Sequence, residues 1–126
     1  MDQDWDMSAD VDAYLASRPD HRAALEALRA RLKALLPVHI ECLSYAMPGF
    51  RAPGPKGRMV AGYASFARNL GYYPHSGNIV GQFPDLTAGF QTSPGGILCT
   101  RDRPLPDDLL ARLVAAKQAE IAAKLR

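Results

Sequence analysis

The stretch Met59–Tyr73 reads MVAGYASFARNLGYY, and its pattern decides the fold. The side chains of its first eight residues would point alternately to the two faces of a strand, so that one face can pack while the other stays wetter. Ala67-Arg68-Asn69 then makes a tight connection, because asparagine tolerates a left-handed backbone. Leu70–Tyr73 follows as a second strand. The stretch therefore predicts an antiparallel β-hairpin at the centre of the chain.

Strand-like composition extends outward from this hairpin. From His39 to Thr100 aromatic and β-branched residues with Gly/Pro punctuation replace any helical period. The further predicted strands are Ile40–Tyr45, Gly49–Ala52 and Gly96–Thr100, with Met59–Phe66 and Leu70–Tyr73 between them. Residues 52–57 contain two prolines and two glycines and predict an exposed hairpin loop. A short helix capped by Ser76 is expected over Gly77–Phe83, closed by Pro84, and residues 85–95 are expected to form an irregular loop.

Helical periodicity flanks the strand region on both sides. Ser8 is a candidate cap for a first helix, which Arg18-Pro19 should end. A second helix should stop at Pro37, and Pro106 with two following aspartates opens a third. The apolar stripes of the second and third helices are Leu25, Leu28, Leu32, Leu35 and Leu110, Val114, Ile121, Leu125. Lys117 falls within the last stripe and could snorkel at its margin.

These elements predict an α+β fold, a two-layer sandwich. An antiparallel sheet of about five strands would pack against two N-terminal helices and one C-terminal helix. Residues 1–7 would form a flexible acidic tail, and residues 8–126 a single domain.

Composition and charge narrow the classes of function. The 126 residues are 48% hydrophobic, and the net charge is −5 over residues 1–20 and +7 over residues 21–126. A charge of +7 spread over a hundred residues is weak for a nucleic-acid binder, so we expect no nucleic-acid partner. The sequence shows no export signal or membrane-spanning run, and Cys42 and Cys99 lack a CxxC spacing. We expect a cytoplasmic monomer or weak homodimer with reduced thiols and no membrane partner.

Several segments together resemble the YdhG-like domain family. The resemblance covers about residues 10–116, and it depends on the order of the segments. They are Val11–Leu15, Arg22–Arg29, Ser44–Phe50 (SYAMPGF), Gly62–Phe66 (GYASF), Asn69–Pro74 (NLGYYP), Thr92-Ser93 and Leu105–Leu109 (LPDDL).

The resemblance implies a frataxin-like fold and a role in iron delivery, which is proposed for some members of that family. Iron handling of the frataxin type is credited to an acidic ridge on the first long helix and the adjoining strand. In this sequence the residues that the resemblance implies as metal ligands are Asp10, Asp12 and Glu41. Iron is accordingly the one cofactor that the resemblance suggests.

Aromatic residues of the strand region form a second candidate site. Tyrosine has an apolar body and a polar tip, which suits a small-ligand pocket or a partner-binding patch. Arg68 would supply a contact for an anionic group. The candidate ligand-binding residues are Tyr45, Met47, Phe50, Tyr63, Arg68, Tyr72, Tyr73 and His75. The alternative is that these aromatics form the core between sheet and helices.

The sequence contains no recognisable catalytic motif. A GxSxG elbow, a P-loop and zinc-ligand pairs are all missing, so no catalytic residue is assigned. The leading interpretation is a non-catalytic binding or delivery module, with an unknown small ligand or protein as partner. A binder of small anionic molecules through the Tyr/Arg-lined sheet is the first alternative. An enzyme that uses Tyr/His acid–base chemistry is the second.

Overall fold

A computed structural model of the chain describes residues 6–54 and 57–125. Its helices are α1 (Ser8–Ala16), α2 (Arg22–Leu35), α3 (Pro84–Thr87) and α4 (Asp107–Lys124). Its strands are β1 (Ile40–Ser44), β2 (Met47–Arg51), β3 (Met59–Ser65), β4 (Leu70–Tyr73), β5 (Gln91–Ser93) and β6 (Gly96–Cys99). The strands form one sheet in the order β1-β2-β3-β4-β6-β5, and every pairing is antiparallel. The predicted α+β class and antiparallel sheet are confirmed.

The described part of the chain has six strands, one more than the five that were named from the sequence. The additional strand, β5, lies inside the segment expected to be an irregular loop. It pairs with β6 across a turn at Pro94-Gly95, with Ser93 opposite Gly96. All three residues of β5 are exposed. A short polar edge strand has no buried face, so it leaves no alternation of apolar and polar residues for sequence analysis to detect.

The connection between β1 and β2 is tighter than predicted. Tyr45 and Ala46 form a two-residue turn with φ angles of 52° and 61°, so β2 begins at Met47 instead of Gly49. Two positive φ angles are typical of the hairpin turns that match strand twist. Pro48 is accommodated because the pair it forms with Leu43 is not the hydrogen-bonded one, so its nitrogen points away from β1.

Cross-strand register divides the sheet into two faces. Residues directly opposite each other share a face, and side chains alternate along each strand. The helix-side face consists of buried residues that join the core cluster of α1, α2 and α4; they include Phe50, Ala61, Tyr63, Leu70, Tyr72 and Ile97. The second face carries half-exposed side chains, those of Met47, Tyr73 and Leu98, beside the buried glycines Gly49 and Gly62.

The helices follow their predicted stripes with local differences at their ends. Leu25, Leu28 and Leu32 are buried, but Leu36 replaces Leu35 in the core because the chain leaves the helix before Pro37. Ser8 does not cap α1 with its side chain. Instead, the Ser8 backbone N–H donates a hydrogen bond to Asp6 Oδ1 at 2.8 Å. Leu125, at the end of the predicted stripe of α4, is 75% exposed.

The segment between β4 and β5 contains less helix than predicted. Only Val80–Gln82 forms a 3₁₀ turn, and Pro84 opens α3 instead of closing a helix. Ser76 does not cap a helix over Gly77–Phe83, although its hydroxyl accepts the Asn78 N–H at 3.1 Å. Proline at the first turn of a helix loses no hydrogen bond, which explains why α3 starts there. Of the predicted acidic tail, residues 1–5 lie outside the described residues, as do residues 55 and 56 of the predicted hairpin loop.

Candidate functional site

The aromatic residues predicted to share one sheet face are divided between its two faces. Phe50, Tyr63 and Tyr72 lie on the helix side and are 1%, 0% and 0% exposed. Within the described ranges the hydroxyls of both tyrosines have no hydrogen-bond partner. Burial raises the pKa of both phenols. These three residues therefore contribute to the core, and the buried hydroxyls of the two tyrosines do not reach a surface pocket.

The other predicted ligand contacts are dispersed over the surface. Met47 and Tyr73 lie on the half-exposed second face, whereas Tyr45 is 88% exposed in the β1–β2 turn. Arg68 is exposed in the β3–β4 turn. The structure does not bring the eight predicted residues together.

His75 occupies a strained position just after β4. Its φ angle is 58°, and its ring lies over Gly62, where an added Cβ would come within 2.7 Å of Nε2. Burial and the nearby Lys117 lower the pKa of His75. Its carbonyl oxygen accepts the Lys117 ammonium at 2.9 Å, and Lys117 is itself buried and also contacts Glu120. In the part of the chain that the structure describes, no carboxylate or tyrosine hydroxyl hydrogen-bonds to the His75 ring, so the contact needed for acid–base chemistry is not formed.

The predicted metal ligands surround an arginine. Arg29 reaches Glu41 through two hydrogen bonds, of 2.7 and 3.0 Å, and Asp12 through one of 2.6 Å. Lys33 lies 3.6 Å from the Glu41 carboxylate. The hydrogen bond with Glu41 is the main cause that raises the pKa of Arg29. The buried Glu41 carboxylate is thus neutralised by the protein's own cations, and Asp10 stands exposed on α1.

The described residues contain no group of three or more His, Cys, Asp or Glu side chains arranged to hold a metal ion. Arg29, on α2, links α1 to the first strand through its contacts with Asp12 and Glu41.

A different site is formed between α2 and the segment that joins β6 to α4. It is a cleft of about 440 Å³. Its floor consists of the buried residues Leu28, Leu70, Cys99 and Leu105. Ala24 and Ala27 form the α2 wall, and their small side chains leave the space open. Ligand pockets typically have volumes of about 300–1,000 Å³ and largely apolar walls, and this cleft has both properties.

Charged groups stand at the rim of the cleft. Arg31 Nη2 donates to the Leu105 carbonyl at 2.5 Å, and Arg31 Nε lies 2.8 Å from Asp107 Oδ1. The Arg31–Asp107 pair links α2 to the start of α4 at the surface, where the Asp107 side chain is 93% exposed. Arg101 also lines the cleft; it is exposed, and its Nη1 donates to the Asp20 carbonyl at 2.8 Å. Within the described ranges Arg101 makes no ion pair, so its positive charge remains available to a ligand.

The cleft continues past Arg101 into a second hollow, of about 430 Å³. Thr100 and Arg101 line both spaces, and Arg68 lies at the far side of the hollow. Asp20 and Asp102 also line it, so its charge is mixed. Arg68 is therefore the one predicted ligand contact that lies near this site.

The cleft was not predicted from the sequence, because its lining residues come from four separate segments of the chain. Alanines at positions 24 and 27 are spaced as a helix face, and Pro104-Leu105-Pro106 is an apolar bend before a helix. Neither feature indicates a pocket by itself. Only the packing of α2 against the β6–α4 segment brings them together.

The architecture defines the chain as an antiparallel α+β sandwich with helices packed on one face of its sheet. A solved structure with the same arrangement is that of YdhG, a protein of the DUF1801 family from Bacillus subtilis. The two superpose with a TM-score of 0.78 at 20% sequence identity, over 88% of this chain and 90% of that one. The likeness shows that the chain has the fold of a YdhG-like domain.

Comparison by sequence adds no further relative. No protein-family model matches the chain, and no curated protein sequence is detectably similar to it. Among the helices that the structure describes, none combines the length and the apolar character needed to cross a bilayer.

Proposed function

We propose that this domain is a non-catalytic binding module that holds a small amphipathic monoanion, such as a medium-chain carboxylate. The observation that carries the proposal is the apolar cleft whose lining includes Arg101, an exposed arginine that forms no ion pair with the described residues. The ligand's apolar body would lie on the floor formed by Leu28, Leu70 and Leu105. Its carboxylate would meet the Arg101 guanidinium, which suits planar oxyanions.

The charged residues around the cleft favour a ligand with one negative charge over a ligand with two. Asp20 and Asp102 lie beyond Arg101 in the adjoining hollow and repel a second charge. Carboxylates should therefore bind better than phosphate monoesters of the same chain length. This preference distinguishes a shaped site from general attraction to a basic surface.

The expected affinity is modest. Burying an alkyl chain of seven or so methylene groups at about 0.8 kcal/mol each contributes about 5–6 kcal/mol, and the lost freedom of the ligand offsets a smaller part of it. A Kd of about 0.1–1 mM for octanoate is the result. At ten times Kd the ligand adds about 1.4 kcal/mol to the free energy of unfolding. For a chain of this length that is a rise in melting temperature of about 5 °C.

The test measures thermal shift and calorimetric binding with octanoate, decanoate, 1-octanol and octyl phosphate. Arg101→Gln should weaken the carboxylates but leave 1-octanol unchanged, and Arg112→Gln is the control for loss of an exposed positive charge. Ala27→Leu should block the cleft, whereas Ala23→Leu adds the same side chain at an exposed position of α2 outside it. Decanoate binding that is unaffected by both Arg101→Gln and Ala27→Leu, or no binding below about 10 mM, would refute the proposal.

Iron delivery, which the frataxin-like resemblance implies, has weaker support in the geometry. Two of its three carboxylates are engaged with Arg29, so ferrous ion must displace an arginine before Asp12 and Glu41 become available. Calorimetric titration with Fe(II) under anaerobic conditions tests it. Binding tighter than millimolar that disappears in a variant with Asp10, Asp12 and Glu41 changed to Ala would establish the role.

A further inference from the structure

Two sulfur atoms meet on the second, half-exposed face of the sheet. The Cys42 thiol lies 3.3 Å from Met59 Sδ, in a hydrogen bond between residues on β1 and β3. Cys42 is 5% exposed, and Met59 is half-buried. The contact passes over β2, which separates these two strands in the sheet.

Two local features of the sheet make this contact possible. A β-bulge shifts the register so that Met59 lies opposite Arg51 and points to the same face as Cys42. Gly49 lies opposite Cys42 and has no side chain to separate the two sulfurs. A Cβ at Gly49 would come within 2.7 Å of Met59 Cε. Glycine at this position is therefore what lets the thioether lie on the strand beside the thiol.

We propose that Cys42 and Met59 form a binding site for a soft monovalent cation, Cu(I) or Ag(I). Thiolate and thioether are the protein ligands that soft metals prefer, whereas hard ions such as Mg²⁺ require oxygen. On binding, the Cys42 S–H proton is released to solvent, and the sulfur forms a bond to the metal. Met59 Sδ, which accepts the hydrogen bond in the free protein, donates its lone pair to the same ion. No electron is transferred.

Surrounding groups affect the thiol in opposite directions. Burial raises the pKa of Cys42, and the charge of Arg51 lowers it. A metal ion overcomes the burial cost because a coordinated thiol is deprotonated outright. Two sulfurs that bind one ion must stand farther apart than the 3.3 Å of the hydrogen bond, and because methionine has three rotatable bonds, Met59 can move away from Cys42 to admit the ion.

The second thiol of the chain provides a matched control. Cys99 is also buried and reduced, and burial raises its pKa too. It lies on the opposite, helix-side face, at the floor of the cleft. Among the described residues no methionine contacts it. A general affinity of buried thiols for soft metals predicts equal behaviour of the two cysteines, whereas the proposal predicts that only Cys42 binds.

The experiment titrates the protein with Ag(I) in nitrate buffer, and with Cu(I) kept reduced by ascorbate in competition with bicinchoninate. Wild type and Cys99→Ser should each bind one equivalent, and Cys42→Ser should bind none. Met59→Leu, a change of similar volume at a half-buried position, should weaken binding by at least about tenfold. Equal affinity in Met59→Leu and wild type would show a lone thiol and overturn the proposal, as would binding retained in Cys42→Ser. Because the cleft is on the other face, failure here leaves the carboxylate proposal intact.

Discussion

Replacing Arg29 by methionine tests its ion pair with the buried Glu41 carboxylate. The change removes the partner of Glu41, whose side chain is only 6% exposed, while the methionine keeps the apolar length of the arginine stem. Removing one partner of a buried ion pair costs about 3–5 kcal/mol, because the other charge is left without compensation. Lys33 lies 3.6 Å from Glu41 and can compensate in part, so we expect the lower end, about 3 kcal/mol.

Urea unfolding at pH 7, followed by circular dichroism, measures this loss. The melting temperature should fall by about 11 °C in a chain of this length. A second variant, Glu41→Gln, removes the buried charge. The double variant should be about 2 kcal/mol more stable than the sum of the single changes predicts, since the uncompensated carboxylate is then gone.

The pair Arg22–Glu26 is a matched control on the same helix. Both of its side chains are more than half exposed. Solvent screening reduces such pairs to about 0.5 kcal/mol or less, so Arg22→Met should be nearly neutral. A loss of less than about 1 kcal/mol in the free energy of unfolding of Arg29→Met would contradict the role of the ion pair. Additive losses in Arg29→Met and Glu41→Gln would contradict it as well.

Two further perturbations examine the second face of the sheet. Gly49→Ala should destabilise the fold by about 1–3 kcal/mol, because the new Cβ would lie 2.4 Å from the Ala61 carbonyl oxygen. Gly81→Ala is the control with open space around it and should be neutral or slightly stabilising in urea unfolding; equal costs would contradict the close approach. The lowered pKa of His75 means that the unfolded chain takes up the proton first, so stability should fall as pH drops below about 6.5. His75→Gln should make the urea midpoint depend less on pH between 7.5 and 5.5 than it does in wild type. An unchanged pH dependence would show that the ring is freely solvated.

The sequence predicted those elements that have one buried face and a clear period. The leucine stripe of α2 and the alternation in β3 gave both elements to within a few residues of their ends. β5 was missed because all of its residues are exposed, and the turn at Tyr45-Ala46 because neither residue is a usual former of positive φ. Local pattern carries no information on either feature, since pairing with a neighbouring strand determines both.

The candidate site was harder to predict than the fold. Tyrosines on adjacent strands can point to the same face or to opposite faces, and a shift of one residue in register reverses the outcome. The buried Tyr72 and its half-exposed neighbour Tyr73 illustrate this, because they are consecutive in sequence and lie on opposite sides of the sheet. The metal ligands were chosen by resemblance, and the arginine that engages two of them lies on another helix.

The two edges of the sheet have a consequence for how the chain behaves at high concentration. β5 offers only three residues for pairing and is followed at once by Pro94, which cannot donate a hydrogen bond to a neighbouring strand. At the opposite edge the Met7 N–H donates to the Glu41 carbonyl at 2.9 Å, which occupies an acceptor that an incoming strand would need. Both borders thus resist strand-by-strand growth into fibrils, a hazard of open sheets with long bare margins.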